Sequence, residues 1–264
     1  MNKFNIPTRH NQKLTAVVER INADEELWQL WRCANVNAMD RAGITDHGEV
    51  HIRVVANAAL KLLRLLADAG IKTSIEANYA MTKEDAEVVL VLAAALHDLG
   101  ISIHRDDHEH YSMFLARAKL PYFLDGLYDV RERTIMMSEI LHAMIAHRWD
   151  VRCLTLEAGV LKVADALDMT EGRSRIPFEA GSISIHSVSA AAITSVELKR
   201  GEERPIRVEI TMSNSAGVFQ VDELLKRKLK NSSIAPYVEV TARVAGPAGE
   251  GGETERRLLC VFTL

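Results

Sequence analysis

Histidine and aspartate residues on apolar helical segments are the side chains of this sequence best suited to metal chemistry. His97 and Asp98 end a long apolar run, and an ionised aspartate is costly to bury without a partner. His51 lies on the apolar stripe of its own segment, and Asp165 lies inside the apolar stretch LKVADALD. His147 follows the apolar residues AMIA in the same way. Imidazoles and carboxylates are the ligands that many divalent metals take in proteins, so the pattern indicates a metal site.

Each of these residues also has an ordinary structural interpretation. His97 and Asp98 would suit the C-terminus of a helix, where an imidazole is favoured by the helix dipole and a carboxylate reaches solvent. A buried histidine can bond to a backbone carbonyl, and Asp165 could pair with Arg148 or Arg173. The placement of all these residues on three apolar helices favours a shared metal ion over a separate explanation for each residue. Eight of the ten histidines lie in the same part of the chain: His47, His51, His97, His104, His108, His110, His142 and His147.

The elements that must position these residues are helices, because apolar residues recur at helical spacing up to about residue 178. Asp46 and Glu49 have capping-box spacing, which predicts a long helix through His51. The helix ending at His97 is apolar nearly all round in its second half, which is typical of a central helix. A further helix is expected to run from near Asp107 to Pro121. Two more helices should carry His142 with His147, and Asp165.

Beyond Pro177 the pattern changes to the alternation typical of strands. The sequence predicts one helix, Val218–Asn231, and the strands Ser182–Val188, Ile193–Lys199, Ile206–Met212, Val238–Val244 and Leu258–Leu264. The predicted fold is therefore mainly α. A helical domain covers residues 1–178, with an N-terminal helix at about 12–34 and a metal-binding core at about 40–175. A small α+β domain follows at 179–264, with a regulatory or dimerisation role.

The composition excludes several classes of protein. The 264 residues carry a formal net charge of -4, which argues against a nucleic-acid-binding surface. No apolar run approaches the length of a membrane helix, and the N-terminus has no apolar stretch typical of a secretory signal. Three scattered cysteines indicate reduced thiols. We therefore expect a cytoplasmic enzyme without a membrane partner, and an open sheet edge in the second domain would allow a homodimer.

The order His51, His97-Asp98 and Asp165 resembles the HD superfamily of metal-dependent phosphohydrolases. The similarity covers roughly residues 45–175 and lies in the segments HIRVVANAALKLLRLLA, AAALHDLG and KVADALDMTEGRSRI. This resemblance implies a helical fold in which those four residues bind a shared metal. Members with two metals add histidines from the intervening helices, and His110 and His147 match them best in position. The metal would be Mn, Fe, Co, Ni, Zn or Mg.

The resemblance also implies roles in catalysis and substrate binding. Asp98 would bridge metals or orient water, and His110 would protonate the leaving group if only one metal is bound. His104 and His142 are reserve ligands and candidate substrate contacts. Arg173 and Arg175 are candidate phosphate clamps, although ordinary surface ion pairs explain them equally well. We expect His47 to lie at the rim of the site and not to bind metal. We expect Asp168 either to support a metal ligand without binding the metal itself or to lie on the surface.

The function expected from this resemblance is hydrolysis of a phosphomonoester or phosphodiester, in a nucleotide or a related small metabolite. One alternative keeps the ligands but holds two irons and acts as an oxygenase. Another is a non-catalytic nucleotide sensor that signals through the C-terminal domain. The chain has no Walker-type glycine loop, no G-x-S-x-G and no H-E-x-x-H, so other common hydrolase mechanisms lack support.

Overall fold

The protein was analysed as a computed structural model that describes residues 3–170, 185–245 and 256–262. Its N-terminal part is a layered set of helices, as the apolar periodicity predicts. The helices are α1 (Gln12–Ala23), α2 (Glu25–Asn35), α3 (Glu49–Asp68), α4 (Ser74–Tyr79), α5 (Lys83–Leu96), α6 (His108–Leu124), α7 (Val130–Ala146) and α8 (Leu156–Ala166). A π-helical stretch, Val36–Arg41, continues α2, and a 3-10 turn, Leu99–Ser102, follows α5.

Helix α5 is the centre of the helical part. It packs against α1, α3, α4, α6, α7 and α8, and every residue from Val88 to Leu96 is fully buried. An apolar surface on all sides can be buried only by neighbours on all sides, so the prediction of a central helix is confirmed. The residues that end α5 are consequently carried into the interior of the protein.

The C-terminal part is a four-stranded sheet with helical segments. Helix α9 (Ile185–Ala191) precedes β1 (Ile193–Arg200) and β2 (Ile206–Met212), and β3 (Val238–Ala245) and β4 (Arg256–Phe262) follow. Between β2 and β3 runs a helical segment, here called α10, made of Val218–Gln220, the π-helical stretch Val221–Lys226 and Arg227–Lys230. The strand order is β1-β2-β3-β4, with β2 and β3 parallel and the outer pairs antiparallel. A parallel pair needs a crossover, and α10 supplies it.

The two parts share one apolar core. Residues of the sheet such as Ile206 and Val240 belong to the same cluster of buried side chains as α3, α5 and α8. The segment after α10 is also bonded to α8, because Ser232 Oγ donates to Gly159 O at 3.0 Å and Ser233 Oγ donates to Thr155 O at 2.7 Å. The predicted boundary at residue 178 lies outside the described residues, so the division into two domains stays a prediction.

The predicted single helix at about 12–34 is two helices, because Asp24 ends α1 and its side chain caps α2 by accepting from Leu27 N at 2.9 Å. Three further local predictions are corrected. The N-cap of α3 is Gly48, and Asp46 Oδ1 instead accepts hydrogen bonds from the backbone of Gly48 and His51. Helix α6 continues past Pro121 to Leu124, because proline removes only one backbone hydrogen bond and the last turn is held by buried apolar side chains.

The third correction concerns the predicted strand Ser182–Val188. Residues 185–191 form a helix instead, and residues 182–184 lie outside the described part. The stretch is short and rich in serine and alanine, so its alternation is compatible with either structure. Among the described residues, no helix is both long and apolar enough to cross a bilayer.

Candidate metal centre

His51 enters the site from the first turn of α3. Its side chain is buried, and Nδ1 lies 2.6 Å from Oδ2 of Asp168, just beyond α8. An ionised carboxylate can only accept, so Nδ1 donates and Nε2 keeps its lone pair. Nε2 faces two other carboxylates, Oδ2 of Asp98 at 3.3 Å and Oδ1 of Asp165 at 3.4 Å. This is the arrangement of a metal-ligating histidine whose orientation is fixed by an outer carboxylate.

His97 and Asp98 reach the site because α5 ends there. His97 Nδ1 donates to the carbonyl of Ala94 at 2.9 Å, which again leaves Nε2 as the lone-pair nitrogen. His97 Nε2 is buried and makes no hydrogen bond to any described residue, although Asp98 Oδ2 lies 3.2 Å away. A buried imidazole nitrogen without a donor is costly, and a metal ion is the partner that suits it.

His108 and His147 complete the site from α6 and α7. His108 Nε2 lies 3.1 Å from Oδ1 of Asp98, and His147 Nε2 lies 3.7 Å from the same oxygen. Nδ1 of His147 donates to the carbonyl of Met144, so this ring also turns its lone pair inward. Helix α6 can approach the end of α5 closely because residue 100 is a glycine. The backbone N–H of Gly100 donates to Ser112 Oγ at 2.8 Å. A Cβ atom at this position would collide with the backbone of α6.

Asp98 therefore stands between two groups of donors. Its Oδ2 faces His51 and His97, and its Oδ1 faces His108 and His147. Three overlapping sets of ligand atoms lie close enough to hold a metal: His51, His97 and Asp98; His97, His147 and Asp165; Asp98, His108 and His147. The donors thus fit divalent metal binding, and the mixture of nitrogen and oxygen suits a transition metal.

The ionisation states agree with ligand chemistry. Burial by itself would raise the pKa of Asp98, but the neighbouring imidazoles of His97, His108 and His51 outweigh it and hold the pKa well below its usual range. Burial lowers the pKa of His147 well below its usual range, and His97 lowers it further. The carboxylate is therefore charged and this imidazole neutral near neutral pH, as ligands must be.

A cavity of about 690 Å³ opens above these residues. Its floor contains Asp98, His108, His147 and Asp165, and part of its wall comes from α10 of the C-terminal part. The basic residues of the lining are Arg105, Arg148, Arg227 and Lys228. Lys228 forms an ion pair with Oδ2 of Asp165. Burial alone would raise the pKa of Asp165, but Lys228, His51 and His97 together lower it well below its usual range.

The structure brings together five of the residues named from the sequence: His51, His97, Asp98, Asp165 and His147. It does not bring His110 to them, and the roles expected of His110 as ligand and proton donor are corrected. His110 is exposed, while His108 faces Asp98. Two residues that are two positions apart on a helix point about 200° apart, so only one of them can face the site.

The four residues expected to contact the substrate are not found in the cavity wall: two lie away from it, and two lie outside the described residues. His104 is exposed, and its Nδ1 accepts a hydrogen bond from the backbone of Asp106. His142 Nε2 accepts from the backbone of Leu154, in the loop after α7. Neither residue is part of the cavity wall formed by the described residues. Arg173 and Arg175 lie outside the described residues.

Sequence reasoning missed His108 as a ligand and Lys228 altogether. His108 had a usable signal, because it lies in the polar run HRDDHEH directly after His97 and Asp98. Lys228 had none, since it is one of several basic residues on an amphipathic helix. His47, expected at the rim, is mostly buried and lines the cavity.

Comparison with known proteins agrees with this geometry. Residues 50–170 match the sequence model of the HD domain family. The chain is also 45% identical over 213 residues to an uncharacterized protein of Methanocaldococcus jannaschii, in a match that covers 81% of this chain and 82% of that protein. The matched region contains every one of the six clustered histidines and aspartates.

Proposed function

Because the chain belongs to the HD domain family, we propose that it hydrolyses phosphoric esters with two divalent metal ions. The observation that carries this proposal is the position of Asp98, with one carboxylate oxygen facing His51 and His97 and the other facing His108 and His147. One metal would be held by His51, His97, Asp98 and Asp165. The second would be held by Asp98, His108 and His147, so that Asp98 is shared.

Bound divalent metals supply a Lewis acid for the phosphoryl oxygens and lower the pKa of bound water towards neutrality. The protein contributes a charged carboxylate on Asp98 and oriented imidazoles around it. Asp168 holds His51 in the tautomer that directs Nε2 inward. The arginines of the wall attract a phosphate to the cavity, and their planar guanidinium groups match phosphate oxygens in pairs.

The volume and lining of the cavity support a nucleotide or a related small phosphoester as the substrate. Its volume of about 690 Å³ lies within the range of small-molecule sites. Trp149 lines the wall and is 56% exposed, with the guanidinium of Arg227 at 5.9 Å from its ring. An exposed indole beside an arginine offers a surface on which a planar base can stack above the basic residues. This supports a substrate with both an aromatic and an anionic part.

The test is Mn-dependent phosphate release from a panel of nucleotides and simple phosphoesters. Wild type should turn over part of the panel, and Asp98→Ala should be inactive because both metals lose their shared ligand. Asp106→Ala is the matched control, since Asp106 is an exposed aspartate outside the cavity wall. Its activity should equal that of wild type.

A different outcome would support another use of the same ligands. If wild type binds metal but releases no phosphate from any compound, the hydrolase proposal is wrong. Colour and oxygen uptake by the iron-loaded protein would then identify a di-iron oxygenase. A nucleotide that survives purification intact on the protein would instead identify a sensor.

A further inference from the structure

Lys228 is a cation from the C-terminal part that lies inside the metal-binding cavity. It is carried by the last turn of α10, which packs against α8. Its ammonium forms an ion pair with Oδ2 of Asp165, and its side chain is only 14% exposed. Residue 228 lies outside the region that matches the HD domain, residues 50–170.

The ion pair leaves the ligand oxygen of Asp165 available. Lys228 contacts Oδ2, whereas Oδ1 faces His51 Nε2 at 3.4 Å and His97 Nε2 at 3.9 Å. A metal bound among the histidines would take Oδ1, so Lys228 need not leave when a metal binds. Lysine and metal can therefore act in the site together.

The ammonium has more donors than Asp165 uses. Lysine has three N–H donors and no acceptor, and Asp165 is the one described residue to which Lys228 donates. Lys228 also lines the cavity, together with Arg227 and Arg148. Partly buried donors that face a cavity beside metal ligands suit an anionic oxygen, and phosphate is the anion that lysine often binds.

We propose that Lys228 is a substrate-binding residue that donates to a non-bridging oxygen of the phosphoryl group, so that the C-terminal part completes the active site. This inference rests on the proposed function, because it assumes a phosphoester in the cavity. It gives the C-terminal part a direct role: α10 delivers the lysine, and the bonds of Ser232 and Ser233 to α8 hold it in position.

The experiment measures binding of inorganic phosphate to the full-length Mn-loaded protein by titration calorimetry, after excess metal has been removed. Lys228→Met should bind the same number of Mn ions as wild type and bind phosphate at least about tenfold more weakly, as expected for one charge-assisted hydrogen bond. Lys228→Arg should recover most of the affinity. Lys230→Met is the matched control, because it removes an exposed lysine from the same turn, and it should bind phosphate like wild type.

Three results would overturn the proposal. The first is equal phosphate affinity of wild type and Lys228→Met. The second is weakened phosphate binding that only accompanies loss of Mn, since Lys228 would then merely support Asp165. The third is no phosphate binding by Mn-loaded wild type. If Lys228→Met does not fold, Lys228→Gln keeps a donor for Asp165, and wild-type phosphate affinity in that variant would also contradict the proposal.

The binding assay is independent of turnover. A wild-type protein that binds Mn and phosphate through Lys228 but hydrolyses nothing in the panel would overturn the hydrolase proposal alone. Hydrolysis that is unaffected by Lys228→Met, with unchanged phosphate affinity, would overturn the role of Lys228 alone.

Discussion

Nε2 of His108 lies 3.1 Å from Oδ1 of Asp98, on the oxygen that His51 and His97 do not face. This contact provides the second group of metal donors, because His147 approaches the same oxygen. The position follows from the first turn of α6, where His108 is buried and His110 is exposed. The two histidines therefore form a natural pair for mutagenesis.

His108→Ala should lower the metal content from two ions per chain to one and reduce phosphate release to background. His110→Ala should leave both quantities unchanged, because its side chain is directed to solvent. Metal content is measured by elemental analysis of the purified variants after Mn loading and gel filtration. Equal loss of metal in the two variants would show that the first turn of α6 is not oriented as described.

Asp168→Ala should weaken metal binding by about 10- to 100-fold without removing a ligand, as is typical when the outer partner of a metal-binding histidine is lost. The reason is that Asp168 accepts from His51 Nδ1 at 2.6 Å and fixes its tautomer. Titration of the metal-free protein with Mn gives the affinity. Wild-type affinity in this variant would mean that His51 needs no such support.

Gly100→Ala should destabilise the protein and also disturb the second group of donors. A Cβ atom at this position would overlap His108 O and lie 2.6 Å from Ser112 N, so α6 must move. Overpacking of this kind costs on the order of 1–3 kcal/mol. Chemical denaturation and metal content are measured together.

Gly70→Ala is the control for Gly100→Ala. Gly70 has a φ of +78° and open space around a Cβ, so its replacement costs about 1–2 kcal/mol through the backbone alone. It should bind two metals. If Gly100→Ala also retains two metals and full stability, the close approach of α6 is not required for the site.

Glu139→Gln should stabilise the protein at neutral pH. Burial and the carboxylate of Glu157 raise the pKa of Glu139, more than its hydrogen bond with Tyr79 lowers it. A carboxyl whose pKa is raised in the folded state destabilises that state when it is ionised. The loss of stability begins as the pH rises past the unfolded pKa and is complete once the pH exceeds the raised value. A gain on the order of 1 kcal/mol would raise Tm by about 2–4 °C.

The effect of Glu139→Gln should disappear in acid. Below about pH 4 the wild-type carboxyl is protonated in both states and resembles the amide. Thermal unfolding of the metal-free proteins at both pH values measures the difference. A variant that is less stable than wild type at neutral pH would contradict the prediction.

The main helices could be predicted because each has its own local pattern. The apolar second half of α5 predicted a buried helix, and burial of its end explains why His97 and Asp98 are inside. His51 and Asp165 were recognised by the same reasoning, as polar residues where an apolar stripe continues. Local periodicity is a property of the sequence itself, so these predictions needed no knowledge of packing.

The predicted start of α6 near Asp107 is confirmed, but the sequence did not show whether His108 or His110 faces Asp98. Asp107 precedes the helix with a φ of +55°, and the first turn packs against Gly100. Which side of this first turn faces Asp98 is set by its packing against Gly100, and the apolar pattern of the helix does not specify that contact. Helix ends carry the weakest sequence signal because capping and tertiary contacts fix them.

The sequence by itself determined the type of site: histidines and aspartates on apolar helices, in an order typical of HD proteins. The tertiary structure alone decided that Asp98 stands between two groups of donors and that Lys228 pairs with Asp165, 63 residues away. Spacing along a helix specifies which residues share a face. It does not specify which faces of distant elements meet, because that depends on how the whole core packs.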